Sequence, residues 1–183
     1  MKKTKGPITT KVDNSDYFAK KSIRQWAYAQ FTYPAKVLEV LPGEKKVMNR
    51  VWKNLGASIE TLPLCKDVLK ILPDTIDFDI ADIDTYSSPF EIIDAVLARA
   101  VRKRIVIVTT DGCRISMEIR GGISKVLFPT VKKQEIPYYE YIKAFVKWAS
   151  SRENWTLGKR VFRVKKRRLQ VFYWGLEFMK KSN

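Results

Sequence analysis

Histidine is absent from all 183 residues. That excludes Ser-His-Asp and Cys-His nucleophile pairs and removes the commonest zinc ligand. Any proton transfer must use carboxylates, lysine, tyrosine, cysteine or water. Cysteine is scarce: Cys65 and Cys113 have no metal-ligand spacing, and two cysteines make no disulfide scaffold. No apolar run approaches the roughly 20 residues of a membrane span. The opening MKKTKGPITTKVD is basic and lacks the apolar stretch of a secretory signal. Together these shortages lead us to expect an intracellular, cytoplasmic protein. Acidic residues are also few, 19 against 35 lysines and arginines, for a formal net charge of +16. Such a surplus points to a negatively charged partner, nucleic acid ahead of a membrane surface because no basic amphipathic helix stands out. The plainer reading is charge kept for solubility.

What is present, 45% hydrophobic and 30% charged residues, is the composition of a globular chain. We expect a flexible basic arm over 1–14 and one domain over 15–183. Lys2, Lys3, Lys5 and Lys11 of the arm either reach phosphates or are solvated. Ser15 or Asp16 can cap a helix running to about Gln30, with Ile23, Trp26 and Ala27 on one side. KVLEVL (36–41) reads as a buried strand, Pro42-Gly43 as a turn, and Glu44 opens a helix that Gly56 stops. A second strand is expected over 57–62, a short helix over 65–72, a third strand over 76–84 and a helix over 90–102. RIVIVTT (104–110) is a fully buried strand, and 114–128 alternates about Gly121-Gly122 as a hairpin or an insertion. Pro137 starts a helix to about Ser150, and 160–165 with 169–178 form an antiparallel pair. Strand–helix alternation ending in a hairpin predicts a three-layer α/β sandwich, a mostly parallel sheet with an antiparallel C-terminal edge. Such sheets place ligands at the carboxyl ends of their strands.

The stretch DFDIADIDTYSSPF (77–90) lies at such an end and gathers Asp77, Asp79, Asp82 and Asp84 within eight positions of a basic chain. Asp77 and Asp79 read as solvated or ion-paired edge charges. Asp82 and Asp84 sit among apolar residues at the mouth, and a buried acid needs a partner. That partner is either a metal, as in Asp-x-Asp magnesium sites, or the amino group of a substrate base. A carboxylate and a following backbone carbonyl can accept both amine hydrogens, with Tyr86 stacking on the base.

The run FDIADIDTYSSPFEIIDAVLARAVRKRIVIVTTDG resembles S-adenosylmethionine-dependent methyltransferases of class I, most closely the tRNA guanine-N2 dimethyltransferase family. That family shows a pattern like D-x-I-D-x-D-P-F/Y-G-S-P, a helix, then a strand ending T-x-T-D. Asp79, Asp82, Asp84, Tyr86, Ser88, Pro89 and Thr110-Asp111 fall on it, while Thr85 replaces a proline and Ser87 a glycine. The resemblance implies a Rossmann-like methyltransferase fold with a seven-stranded sheet, S-adenosylmethionine as cofactor, and N-methylation of a nucleic-acid base, in RNA ahead of DNA. It also implies roles. Asp84, Thr85 and Tyr86 would hold the amine, while Glu39, Gly43, Glu60, Asp67, Val68 and Asp82 would serve the cofactor. Only six residues lie between Glu60 and Asp67, too few for the helix and strand that normally intervene there. Gly43 is a lone glycine, with Lys45 where a second is usual.

Phosphates would be held by Arg102, Lys103 and Arg104 and by Lys165, Lys166, Arg167 and Arg168. Trp155, Tyr173 and Trp174 either stack bases or belong to the core. Two rival readings stand beside this one: a non-catalytic nucleic-acid binder on a degenerate methyltransferase fold, and a metal nuclease using Asp111 and Glu118.

Overall fold

In the computed structural model, residues 16–40, 47–63, 68–85, 88–111, 126–128, 136–165 and 171–182 are described. The first helix, α1 (Tyr17–Tyr28), starts where Asp16 accepts a hydrogen bond from the Ala19 amide at 3.3 Å. It turns Lys20, Ile23, Arg24 and Ala27 inward. Strand β1 (Lys36–Val40) follows, then α2 (Val47–Asn54) and the edge strand β2 (Ser58–Thr61). Gly56 ends α2 in the left-handed region at φ 83°, the conformation a helix stop of this kind needs. Beyond a 3-10 turn at Val68–Lys70 come β3 (Ile80–Asp84), α3 (Phe90–Arg99) and β4 (Arg104–Asp111). The helix α4 (Tyr138–Ser150) leads into the hairpin of β5 (Trp155–Lys165) and β6 (Val171–Lys180). None of the described helices is long and apolar enough to cross a membrane.

The sheet order is β2-β1-β3-β4-β6-β5, parallel through β4 and antiparallel in β6 and β5. Six strands are found among the described residues, against the seven implied by the resemblance; the short 62–79 connection leads from β2 to β3 through the 3-10 turn. Alternate side chains of the central strands enter two cores. Val37, Ile80, Val106 and Val108 pack under α1 and α2 with Ile23, Ala27 and Trp52. Leu38, Ala81, Ile83, Ile105 and Ile107 pack under α3 and α4 with Ile93, Val96, Phe145 and Trp148. This is the expected three-layer α/β sandwich, and the two-sided burial explains the near-continuous apolar runs of β1 and β4.

Several expected boundaries shift. Strand β3 starts at Ile80 rather than at 76, because Ile76 bridges Ala100 and Asp79 turns inward to accept from the Lys36 amide (2.9 Å) and the Tyr33 hydroxyl (3.0 Å). The same bridge ends α3 at Arg99, since Ala100 is extended. Strand β5 begins at Trp155, five residues before the expected 160, anchored where its indole donates to the Leu97 carbonyl at 3.2 Å. The basic arm, the Pro42-Gly43 turn and all but the last three residues of 114–128 lie outside the described residues.

Aromatic packing ties the hairpin to α4: Trp174 stacks on Phe145 with centroids 4.1 Å apart, and Phe172 on Tyr141 at 5.0 Å. On the other face Gly175 is what lets Trp26 of α1 lie against β6. A Cβ there would meet the Trp26 ring at 2.5 Å and Val161 at 3.0 Å. Gly175→Ala should therefore destabilise the fold by about 1–3 kcal/mol through overpacking, read as a lower urea midpoint with an unchanged slope.

Candidate active site

Register builds a polar row on the α1/α2 side of the sheet. Thr61, Glu39 and Asp82 are neighbours across β2, β1 and β3. Within β3 the alternation is strict, so Ile80, Asp82 and Asp84 share this face while Ala81 and Ile83 enter the opposite core. Asp84 closes β3 at the carboxyl rim, opposite Thr110 of β4.

Both β3 carboxylates are met by cations from α1. Arg24 grips Asp82 with two nitrogens, Nη2 to Oδ1 at 2.6 Å and Nε to Oδ2 at 2.7 Å, and the Trp52 indole donates to Oδ2 at 2.7 Å. The remaining Arg24 nitrogen, Nη1, donates to the Lys20 carbonyl at 3.0 Å. Lys20 Nζ sits 2.9 and 2.7 Å from the two oxygens of Asp84, and the Thr110 hydroxyl donates to Oδ1 at 2.6 Å. Glu39 accepts from the Thr61 hydroxyl at 3.0 Å and from Asn49 at 3.4 Å.

Burial and charge push these acids in different directions. Burial raises the Glu39 carboxyl, reinforced by the neighbouring charge of Asp82 and opposed by Thr61 and Asn49. Burial likewise raises Asp82 against the pull of Arg24. Burial would raise Asp84 too, but Lys20, Arg24 and the Thr110 hydroxyl together outweigh it and hold its carboxyl below the ordinary range. Asp84 is thus kept as a carboxylate, suited to accepting hydrogen bonds and poorly suited to taking a proton.

The other expected site residues are dispersed. Thr85 is buried beside Asp84. Tyr86, Gly43, Asp67, Lys166, Arg167 and Arg168 lie outside the described residues. Val68 is buried, packed in the core under α3 and α4. Glu60 is exposed; its register partner is Leu38, so it points to the face opposite Glu39. Arg102, Lys103 and Arg104 stand at the other rim: six positions of β4 separate Arg104 from Thr110, about 20 Å of extended strand. There Arg102 pairs with Asp77, and Arg104 pairs with Glu177 at 2.6 Å and covers the Phe31 ring. Lys165 ends β5 at the Asp84 rim. Trp155, Tyr173 and Trp174 are buried, so the core reading of these three holds.

Sequence reading missed Lys20, Arg24 and Trp52. A signal existed: two cations four apart on α1, flanked by the inward-facing Ile23 and Ala27, occupy positions a soluble helix normally leaves apolar. For the nuclease reading, Glu118 lies outside the described residues, and among those described no group of three potential metal-binding residues gathers. Asp111 instead accepts from the Tyr141 hydroxyl at 2.7 Å.

No family model matches the sequence, and no curated protein is similar to it. Solved structures are similar in fold. A candidate RNA methyltransferase of Pyrococcus horikoshii superposes with a TM-score of 0.53 at 11% identity, over 90% of this chain and 85% of that one. A 1,6-didemethyltoxoflavin-N1-methyltransferase of Burkholderia thailandensis, with bound 1,6-didemethyltoxoflavin and S-adenosylhomocysteine, gives 0.56 at 12% identity, over 93% and 83%. The chain therefore has the Rossmann-like fold of class I methyltransferases.

Two outcomes test the buried charges. Arg24→Met should cost about 3–5 kcal/mol by leaving Asp82 buried without its cation, and adding Asp82→Leu should restore much of the loss, both read by urea denaturation. Glu39 has the opposite sign from a salt-bridged acid. Its raised folded-state value favours folding below an unfolded value of about 4.3 and loses that contribution as pH rises through the folded value. Glu39→Gln should accordingly raise the melting temperature relative to the parent more at pH 8 than at pH 4, in paired calorimetric scans.

Proposed function

We propose that this chain is an S-adenosylmethionine-dependent methyltransferase acting on an exocyclic amino group of a nucleic-acid base, in RNA ahead of DNA. The observation that carries the reading is Asp84: at the carboxyl rim of β3, both of its oxygens lie within hydrogen-bond reach of an amine nitrogen, here Lys20 Nζ. The D-x-D-x-Y-S-S-P pattern around it, the fold, and the excess of cations support the same reading. Closer kinship to the tRNA guanine-N2 dimethyltransferases belongs to this proposal and rests on that pattern.

The residues present fit the cofactor in part. Glu60, next to last in β2, is exposed on the face opposite Glu39, and would accept ribose hydroxyls of a cofactor that spans the strand ends. Glu39, one residue before the end of β1, is buried and takes the Thr61 and Asn49 donors on one carboxylate oxygen; we read the other oxygen as the acceptor for a polar group of the cofactor. Asp82 does not fit as a direct ligand, since Arg24 and Trp52 take its oxygens; its role is to position α1 and Asp84. When bound, the cofactor supplies an activated methyl group on its sulfonium, so the protein's task is alignment. Asp84 and the Thr85 carbonyl would accept the two amine hydrogens and aim the nitrogen lone pair, and Tyr86 would stack on the base. Arg24 and Thr110 would remain beside Asp84 once Lys20 is displaced, and the proton shed after methylation goes to water.

A second reading, a nucleic-acid binder without catalysis, is favoured by one fact. The amine that Asp84 holds is the chain's own Lys20, which a substrate must displace.

Calorimetry with S-adenosylmethionine separates the two. The methyltransferase predicts a saturable heat and a raised melting temperature, and transfer of labelled methyl to RNA that Asp84→Ala lowers at least about 100-fold while cofactor binding persists. No heat with cofactor would leave the binder. Unchanged transfer by Asp84→Ala would remove Asp84 from the chemistry.

A further inference from the structure

Resting on the nucleic-acid reading above, we infer that the exposed ribbon of β5 carrying Lys159, Arg160, Phe162 and Arg163 is the surface on which single-stranded RNA docks. The far-rim cluster of Arg102, Lys103 and Arg104 is not that surface. Three observations carry the inference. The first is position. Asp84, Thr110, Tyr173 and Arg163 are successive register partners across β3, β4, β6 and β5. Three strand spacings put Arg163 about 14 Å from Asp84, at the same rim of the sheet. Arg102 and Arg104 stand at the opposite one.

The second is charge availability. Arg160 and Arg163 have no carboxylate within ion-pair distance among the described residues; Arg163 donates only to the Phe162 carbonyl. Lys159 reaches Gln30 of α1 at 3.5 Å, and all three side chains are exposed. The far rim, by contrast, spends Arg102 on Asp77 and Arg104 on Glu177. Among the described residues a phosphate competes with no paired carboxylate at Arg160 or Arg163, and with two at the far rim.

The third is Phe162, which is 37% exposed on an open edge strand and steadied by Trp174 at 5.3 Å. Cations on an edge strand can serve merely to block pairing with another sheet. An exposed aromatic among them works against that purpose. Cations tracking a backbone beside a fixed aromatic face are what a single strand needs, because every base has a π-face to stack. Arg160 and Phe162 lie on one side of the strand, with Leu176 and Trp174 behind them, and Arg163 on the other beside Tyr173. The ribbon thus offers phosphate contacts on both sides and stacking on one.

Fluorescence anisotropy with a labelled 12-nucleotide single-stranded RNA tests this on the full chain, with the same-sequence DNA and an RNA duplex as further arms. Arg160→Glu with Arg163→Glu should weaken RNA binding at least tenfold at 100 mM salt. It should also reduce the slope of log affinity against log salt by about 1.4, the loss of two single-strand phosphate contacts. Phe162→Leu keeps an apolar contact with Trp174 and should weaken binding several-fold without altering the salt slope. Lys103→Glu, an equal charge change per site at the far rim, should change affinity less than twofold. Equal weakening by Lys103→Glu and Arg163→Glu, or tighter binding of duplex than of single strand, would overturn the inference, as would wild-type binding that poly-glutamate displaces as well as RNA does. Cofactor calorimetry runs alongside. A ribbon-dependent RNA affinity without cofactor heat keeps this surface and removes the methyltransferase, whereas cofactor heat without ribbon dependence does the reverse.

Discussion

The clamp between α1 and the end of β3 is the interaction on which this structure turns. Arg24 and Lys20 project from one face of α1 and meet Asp82 and Asp84, two residues apart on one face of the strand. One helical turn against one strand repeat brings both pairs into register. The geometry leaves little slack: Arg24 satisfies two oxygens of Asp82 and its own helix's carbonyl, while Trp52 of α2 closes the remaining approach. A buried ion pair of this kind adds little stability over an apolar pair of the same shape, but it penalises misplacement of α1 heavily. The clamp therefore fixes where the helix lies more than how strongly it is held.

That placement has a consequence for chemistry. Asp84 keeps its charge in a buried site only because Lys20, Arg24 and Thr110 counter its desolvation. The same Lys20 ammonium takes both carboxylate oxygens. On the proposed methyltransferase reading, a neutral substrate amine would replace the Lys20 ammonium, keeping hydrogen bonds to Asp84 but removing its nearest positive charge. The cost falls on Lys20, which must find water or a phosphate once displaced. Asp82 takes no part in that exchange. Its oxygens are taken by Arg24 and Trp52, and its contribution is to seat α1 through Arg24.

Much of the fold was legible because its signals are local. The apolar runs of β1 and β4, the Gly56 stop and the helix following Pro137 follow from residue type and period alone. The boundaries that shifted depend on contacts between distant segments. Nothing near Ile76 announces its bridge to Ala100, and the early start of β5 depends on the Trp155 indole reaching the Leu97 carbonyl. The site was legible in half. Asp82 and Asp84 stand out as acids in a basic, apolar setting, but their partners lie 58 and 64 positions away, a pairing that only the packing of α1 creates. A charge run such as 102–104 does not tell, in sequence, which rim it occupies or that Asp77 and Glu177 pair with Arg102 and Arg104.

Seen in this light, the net charge of +16 is unevenly available. Much of the cationic surface at the amino rim is spent internally, where Asp77, Asp79 and Glu177 hold Arg102 and Arg104. The α1 cations are spent on the clamp. On the edge strand β5, Arg160 and Arg163 meet no carboxylate among the described residues. An edge strand must discourage pairing with other sheets, and charge does so without any ligand. Phe162, in the middle of that cationic run, covers Trp174 at 5.3 Å and leaves 37% of its surface open. Edge protection and packing on Trp174 account for the arginines and the ring separately, whereas the proposed single-strand docking uses the two together. The hairpin that completes the antiparallel edge of the sheet thus lies where a bound strand could run toward Asp84.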